Sequence, residues 1–147
     1  MSYVDSLVGE VLAELSALGF RDNTVVAFVG DHGQHVGEHN LWQKMTNFEL
    51  GVRIPFLVRA PFLPSSIGMR SDALVEIVDL YKTLADLAGI PLPKNDSRAV
   101  QGHSLAGIMR GDAPPSNYSF SQFAKSGPDD APFGVCMTCY PQGKVSE

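Results

Sequence analysis

The sequence predicts an α/β fold, a mixed sheet flanked by helices. Residues 24–29, Thr-Val-Val-Ala-Phe-Val, are β-branched and apolar throughout and break abruptly at Gly30-Asp31-His32-Gly33. A continuous apolar run of this kind is typical of a strand covered on both faces. Two stretches with apolar residues at three- and four-residue spacing stand on either side of it, and a second short apolar run follows at residues 54–58. Helices interleaved with apolar strands describe a sheet with helices packed on it.

Each element has a local reason. Val4, Leu7, Val8, Val11, Leu12, Leu15 and Leu18 form one helical stripe, and Gly19 follows as a stop. The strand over 24–29 then opens into a long polar stretch, 34–53, which is expected to be an irregular functional loop. Pro55 suits the start or the edge of the strand over 54–58. Pro61, Pro64 and Gly68 mark the next loop. A second helix is expected from about Ser71 to Ala88, with Ser71 as N-cap and Asp72 and Glu76 near the positive end of the helix dipole. Gly89 and Pro91 end it. A short helix over 104–110 stops at Gly111, and two late strands are expected over 118–123 and 133–140.

The composition narrows the function classes. The chain has 147 residues, 44% hydrophobic and 18% charged, against about 25% charged in a typical domain. This is the size and make-up of one folded domain, not of a charged, disordered tail. No apolar run approaches the ~18 residues of a membrane span. The net charge is −5 with no basic run, a poor match to nucleic acid. The two cysteines, Cys136 and Cys139, form a lone C-x-x-C. A zinc ribbon needs a second pair, and a thioredoxin-type motif belongs near a βαβ start, so they read as ordinary thiols in a late strand. The first residues lack the basic and apolar regions of a signal peptide.

Chemistry-bearing residues are concentrated in one place. Three of the four histidines, His32, His35 and His39, lie within eight residues, together with Asp31 and Glu38, and Lys44 follows. Asp31 and His32 at a strand end can face one cation, with Gly33 letting the backbone turn behind them. A carboxylate with an imidazole suits zinc, manganese or iron. It also suits calcium or magnesium if further carboxylates complete the shell, and two ligands are too few in either case. His35-Val36-Gly37-Glu38-His39 spells H-x-x-E-H, the inverted zinc-protease pattern. That chemistry needs a regular helix, which Gly37 disfavours, so a polar loop is expected instead. Lys44 offers a point charge for an anionic oxygen, with Trp42 beside it. His103, alone before a short helix, reads as a capping or surface residue.

The string from Gly30-Asp31-His32-Gly33 through Lys44 to Arg53-Ile54-Pro55 resembles the sulfatase family of the alkaline-phosphatase superfamily. That family carries a D-[HN]-G-x-x-x-G-E-H-x-x-x-x-K pattern followed by an R-[VI]-P strand. Val78-Asp79-Leu80 through Ala88-Gly89 resembles its V-D-L-x-P-T-L-x-x-L-A-G helix, with Lys82 where Pro is common. Gly102-His103-Ser104-Leu105 resembles its later G-x-S-L turn, and Tyr3-Val4-Asp5 with the first helix also fits. The resemblance spans residues 1 to about 125 and implies a partial alkaline-phosphatase-like fold.

By that resemblance Asp31 and His32 are ligands of a divalent cation, calcium in the family, and Lys44 contacts the sulfate group. His35, Glu38 and His39 shape the substrate-side loop without a chemical step. The implied reaction is hydrolysis of a sulfate ester by a formylglycine hydrate made from a cysteine. The implied substrates are sulfated glycans such as heparan and dermatan sulfate, and the implied setting is lysosomal or secreted. Two sequons, at Asn95 and Asn117, fit that setting.

The C-x-[PA]-S-x-R nucleophile motif is absent. Cys139-Tyr140-Pro141 begins like it, but Gln142 and Gly143 follow, and it lies after Asp31 instead of before it. The family's early Asp-Asp metal pair is also absent. Residues 1–147 are therefore expected to be a single partial sulfatase domain, lacking the nucleophile half and the last strands. Its first helix and second strand are expected to leave an open apolar edge. The missing N-terminal part of the same polypeptide would be its partner. A phosphatase or phosphonate hydrolase of the same superfamily would use Asp31 and His32 equally well. A non-catalytic glycan-binding role through Lys44 and Trp42 is opposed by the net charge.

Overall fold

The computed structural model describes residues 2–93, 100–125 and 134–141. Helix α1 (Ser2–Ala17) leads into strand β1 (Val26–Val29). A small hairpin follows, β2 (His35–Val36) and β3 (Trp42–Gln43), with a 3₁₀ turn over Glu38–Asn40 between its strands. One helical turn, α2 (Glu49–Val52), precedes β4 (Phe56–Arg59). Then come α3 (Asp79–Leu87), α4 (Ala106–Arg110) and a second hairpin, β5 (Tyr118–Lys125) with β6 (Gly134–Pro141).

Three helices end in the same way, at the glycines that mark their stops in the sequence. Gly19 donates to Ser16 O and Phe20 to Leu15 O; Gly89 to Asp86 O and Ile90 to Ala85 O; Gly111 to Ile108 O and Asp112 to Gly107 O. These paired bonds, three and five residues back, are the Schellman closure, with a left-handed glycine just past the helix end.

The sheets are open ladders of two strands each, β1 with β4, β2 with β3 and β5 with β6, all antiparallel. The expected full cover of β1 is not found among the described residues. Phe28 pairs with Leu57 across the ladder and both stay exposed, with no described element covering them. The stripe of α1 is likewise largely uncovered: Val4, Leu7, Val11, Leu12 and Leu18 are exposed, and Val8 and Leu15 are half-buried. Helical periodicity marks an apolar face but does not supply what covers it.

The core lies around α3 and α4, where Ala60, Leu105, Ala106, Ile108 and Met109 are buried. The helix expected from Ser71 begins only at Asp79. Ser71 Oγ accepts the N–H of Ala73 in a local turn instead. Asp79 donates its N–H to Glu76 O and takes the Glu76 N–H on Oδ2, a reciprocal pair that fixes the helix start there. Its other oxygen accepts the His103 N–H at 2.8 Å, so His103 serves through its backbone. Asp86 ties α3 to α4 through Ser104 Oγ at 2.6 Å and Arg110 at 3.2 Å.

Thr83 is 0% exposed; its hydroxyl donates to Asp79 O at 2.7 Å and accepts the Leu105 N–H at 2.9 Å. Thr83→Val keeps the volume and orphans that buried N–H, which costs about 1–3 kcal/mol. The expected thermal midpoint is lower by roughly 3–9 °C at this chain length. An unchanged melting curve would show that the hydroxyl carries no net stability.

In the second hairpin, Cys136 pairs with Phe123 and Cys139 with Phe120 along the backbone, so both thiol positions lie in a late strand as expected. The Asn95 sequon, residues 126–133, with the first position of the expected strand over 133–140, and residues 142–147 lie outside the described residues. Asn117 is exposed just before β5. Among the described residues, no helix is long and apolar enough to cross a membrane.

Candidate active site

The site begins where β1 ends. Gly30 extends the β1–β4 ladder by one bond, its N–H to Pro55 O at 3.0 Å, and the chain then leaves the sheet with Asp31 and His32 side by side. Asp31 Oδ1 accepts the His32 N–H at 3.1 Å, while Oδ2 lies 3.4 Å from His32 Nε2. His32 Nδ1 lies 2.7 Å from Gly33 O. A carbonyl oxygen can only accept, so Nδ1 carries the proton. In the neutral ring, Nε2 then presents a lone pair to a carboxylate oxygen. Two acceptors this close repel unless a cation is shared between them.

Two ligands at about 2.0–2.5 Å from one ion, about 90° apart, are roughly 3–3.5 Å from each other. The Asp31–His32 pair therefore fits as one edge of a divalent-cation shell. Among the described residues, no three His, Cys, Asp or Glu side chains converge where they could hold a metal ion.

Two glycines bring the lysine segment to this strand end. Gly33 donates its N–H to Gly51 O at 2.9 Å. A Cβ on Gly33 would sit 1.9 Å from Leu50 O, so only glycine permits the approach. On its other side Gly51 lies against residues 44–46, where a Cβ would meet Thr46 Oγ1 at 2.9 Å and Lys44 O at 3.3 Å. Three backbone segments, around 33, 44–46 and 50–51, thus form one close-packed seam. Lys44 itself is exposed. The cleft between α1 and β4, lined by Leu12, Leu15, Arg21 and Arg59, contains none of Asp31, His32 or Lys44.

The 34–53 stretch is structured, contrary to expectation. His35 is buried in β2, and Glu38 and His39 lie in the 3₁₀ turn, so the H-x-x-E-H residues share no regular helix. His39 stacks on Phe48 with centroids 5.0 Å apart, and the His35 ring meets both edge-on. Glu38 Oε2 accepts the Val36 N–H at 2.8 Å. That bond, together with the Glu38 backbone N–H, holds the carboxyl below its ordinary value of 4.5, and the nearby His35 and His39 act in the same direction.

A carboxyl lowered in the fold adds stability above its unfolded value, and that stability is lost as pH falls through the folded value. The hairpin is therefore expected to loosen only below about pH 4.5, seen as faster exchange of the Val36 amide. Glu38→Gln should abolish that pH step, and its persistence in the variant would assign the step to another group.

The model of the family described as Sulfatase matches residues 1–90, which run from α1 through α3 and include Asp31, His32 and Lys44. The chain belongs to the sulfatase family. This sulfatase chain is 38% identical to iduronate 2-sulfatase of Mus musculus over 116 residues, covering 63% of the chain and 21% of that protein. It is 36% identical to arylsulfatase K of Bos taurus over 101 residues, 69% of the chain and 18% of that protein. A phosphonate monoester hydrolase from Silicibacter pomeroyi superposes with a TM-score of 0.73 at 35% identity, over 86% of the chain and 24% of that structure. The partial sulfatase-like α/β fold is thereby shown. The chain spans about a fifth of the length of the curated relatives it matches.

Asp31 and His32 lie side by side at the end of β1. Lys44 is joined to them through the seam, by backbone contacts. Thr46 and Gly51, which build that seam, were not singled out by the sequence; the Gly51 that interrupts Glu49-Leu50-Gly51-Val52 was the available signal.

Proposed function

We propose that the chain supplies the cation-and-anion side of an ester hydrolase site acting on sulfate monoesters. The acceptor pair Asp31 Oδ2–His32 Nε2, 3.4 Å apart at the end of β1, carries the reading. Asp31 and His32 would hold a divalent cation, calcium by family resemblance, which when bound supplies positive charge to the non-bridging oxygens of the ester. Lys44 would contact those oxygens as a second, compact charge. Gly33 and Gly51 hold the two segments together. The nucleophile would come from residues of the same polypeptide outside these 147, and the chain would then be one part of a sulfatase domain.

The family match and the sulfatase relatives support a sulfate ester as the substrate class. The narrower substrate, 2-sulfate on iduronate of heparan or dermatan sulfate in a lysosomal or secreted enzyme, is supported by the likeness to iduronate 2-sulfatase. The second reading is a phosphonate monoester, supported by the similarity to the Silicibacter enzyme over most of the chain. Both anions are tetrahedral and oxygen-rich, so the same pair and the same lysine serve either.

The test is turnover by the full-length protein that carries this chain, on an aryl sulfate, an aryl phosphonate monoester and a 2-sulfated iduronate glycoside. Sulfate turnover well above phosphonate turnover supports the first reading, and the reverse order supports the second. The glycoside turned over no better than the aryl sulfate would remove the narrower substrate. No turnover of any of the three would overturn the proposal.

A further inference from the structure

We propose that His35 and Thr46 form a positioning pair that fixes Lys44 for its anion, an inference resting on the reading of Lys44 given above. His35 is 0% exposed, and its Nε2 lies 2.8 Å from Thr46 Oγ1 across eleven residues of chain. The same ring residue pairs with Gln43 in the β2–β3 ladder. Lys44 therefore sits in a short segment tied to His35 at both ends, by backbone pairing at Gln43 and by the ring at Thr46. The segment is closed further by the Thr46 N–H to Lys44 O at 2.8 Å and by the Phe48 N–H to Thr46 Oγ1 at 3.3 Å.

Two observations separate positioning from ordinary packing. His35 Nδ1 is buried without a hydrogen-bond partner among the described residues. An unpaired ring nitrogen destabilises a core, and an apolar side chain would fill the space without it. Gln43 also takes a left-handed backbone, φ 77, between the ladder and Lys44. Such a conformation persists in a non-glycine residue only where its surroundings over-determine it. The backbone pairing of Gln43 with His35 and the ring contact of His35 with Thr46 bracket that residue on both sides. A lysine on a fixed turn loses less freedom on meeting its anion than one on a loose loop.

Thr46→Val and Thr46→Ser distinguish the roles without requiring a change at His35. Valine keeps the volume and loses the oxygen; serine keeps the oxygen and loses the methyl. A packing role ranks valine above serine, and the clamp ranks serine above valine. In the full-length protein, Thr46→Val is expected to lower kcat/KM on an aryl sulfate roughly tenfold, and to raise the inhibition constant of inorganic sulfate in parallel, because small misplacement of a binding group is costly. Thr46→Ser should recover most of both. In the chain itself, the Thr46 amide should exchange faster in the valine variant and not in the serine one.

Valine equal to or better than serine, with Lys44→Ala still crippling, would overturn the clamp and leave the reading of Lys44 intact. Lys44→Ala as active as the unaltered protein, or no turnover at all, would overturn that reading and the clamp with it.

Discussion

Gly33→Ala is expected to cost about 3 kcal/mol or more and to lower the thermal midpoint by roughly 6–12 °C. The added Cβ would lie 1.9 Å from Leu50 O, 2.8 Å from Leu50 C and 3.2 Å from Gly51 C. All three are backbone atoms, so no rotamer change relieves the overlap. The Gly33 N–H to Gly51 O bond must lengthen or break, and residues 50–51 must move away from the end of β1. Overpacking normally costs about 1–3 kcal/mol because side chains give way. Here only main chain can, which places the expectation at or above that limit. The same movement separates Asp31 and His32 from the Lys44 segment, so turnover should fall with stability.

Gly9→Ala is the matching control. Gly9 lies inside α1 with nothing within 4 Å of its added Cβ, and the change should stabilise the helix by about 0.5–1 kcal/mol. A Gly33→Ala midpoint within about 2 °C of the unaltered chain would show that the seam is not as tight as the contact implies.

That seam marks where sequence reading ends. Helix stops were legible because a left-handed glycine closing a helix is a local event, and Gly19, Gly89 and Gly111 all behave this way. The β1 run and the Asp31-His32-Gly33 corner were legible for the same reason. The start of α3 was not. Ser71 and Asp72 carry the local signals of a cap, but the start is fixed at Asp79, whose carboxylate also serves the His103 N–H twenty-four residues away. The β2–β3 hairpin was hidden too. Its strands are two residues each, and of the left-handed backbones at His39, Asn40 and Gln43 the last is one that its residue type does not announce. The role of Thr46 depends on meeting His35 across that hairpin, which no spacing rule anticipates. The exposed stripe of α1 shows a further limit, since amphipathic period reports a face and not its partner.

Asp31→Ala should lower kcat/KM on an aryl sulfate by at least about 100-fold in the full-length protein, with the thermal midpoint in the absence of calcium moving by no more than about 2 °C. The two halves of this expectation follow from one geometry. The Asp31 side chain is 88% exposed, and among the described residues its partners are the N–H and ring of the next residue, so the fold draws little from it. Its charge, by contrast, faces a histidine nitrogen that the Gly33 carbonyl has left with a lone pair. Asp31→Asn keeps the shape and the His32 N–H bond while removing the charge. It should sit close to alanine in activity if the charge holds a cation, and close to the unaltered protein if only the turn matters. The chain alone offers an independent readout. Calcium added to it should shift the Asp31 and His32 amide resonances at millimolar concentration, as expected for a partial oxygen-and-nitrogen shell, and Asp31→Asn should abolish the shift. Zinc shifting the same resonances at far lower concentration would reassign the ion. An Asp31→Asn enzyme with full activity would remove the cation from the site altogether and leave Lys44 as its remaining charge for the anion.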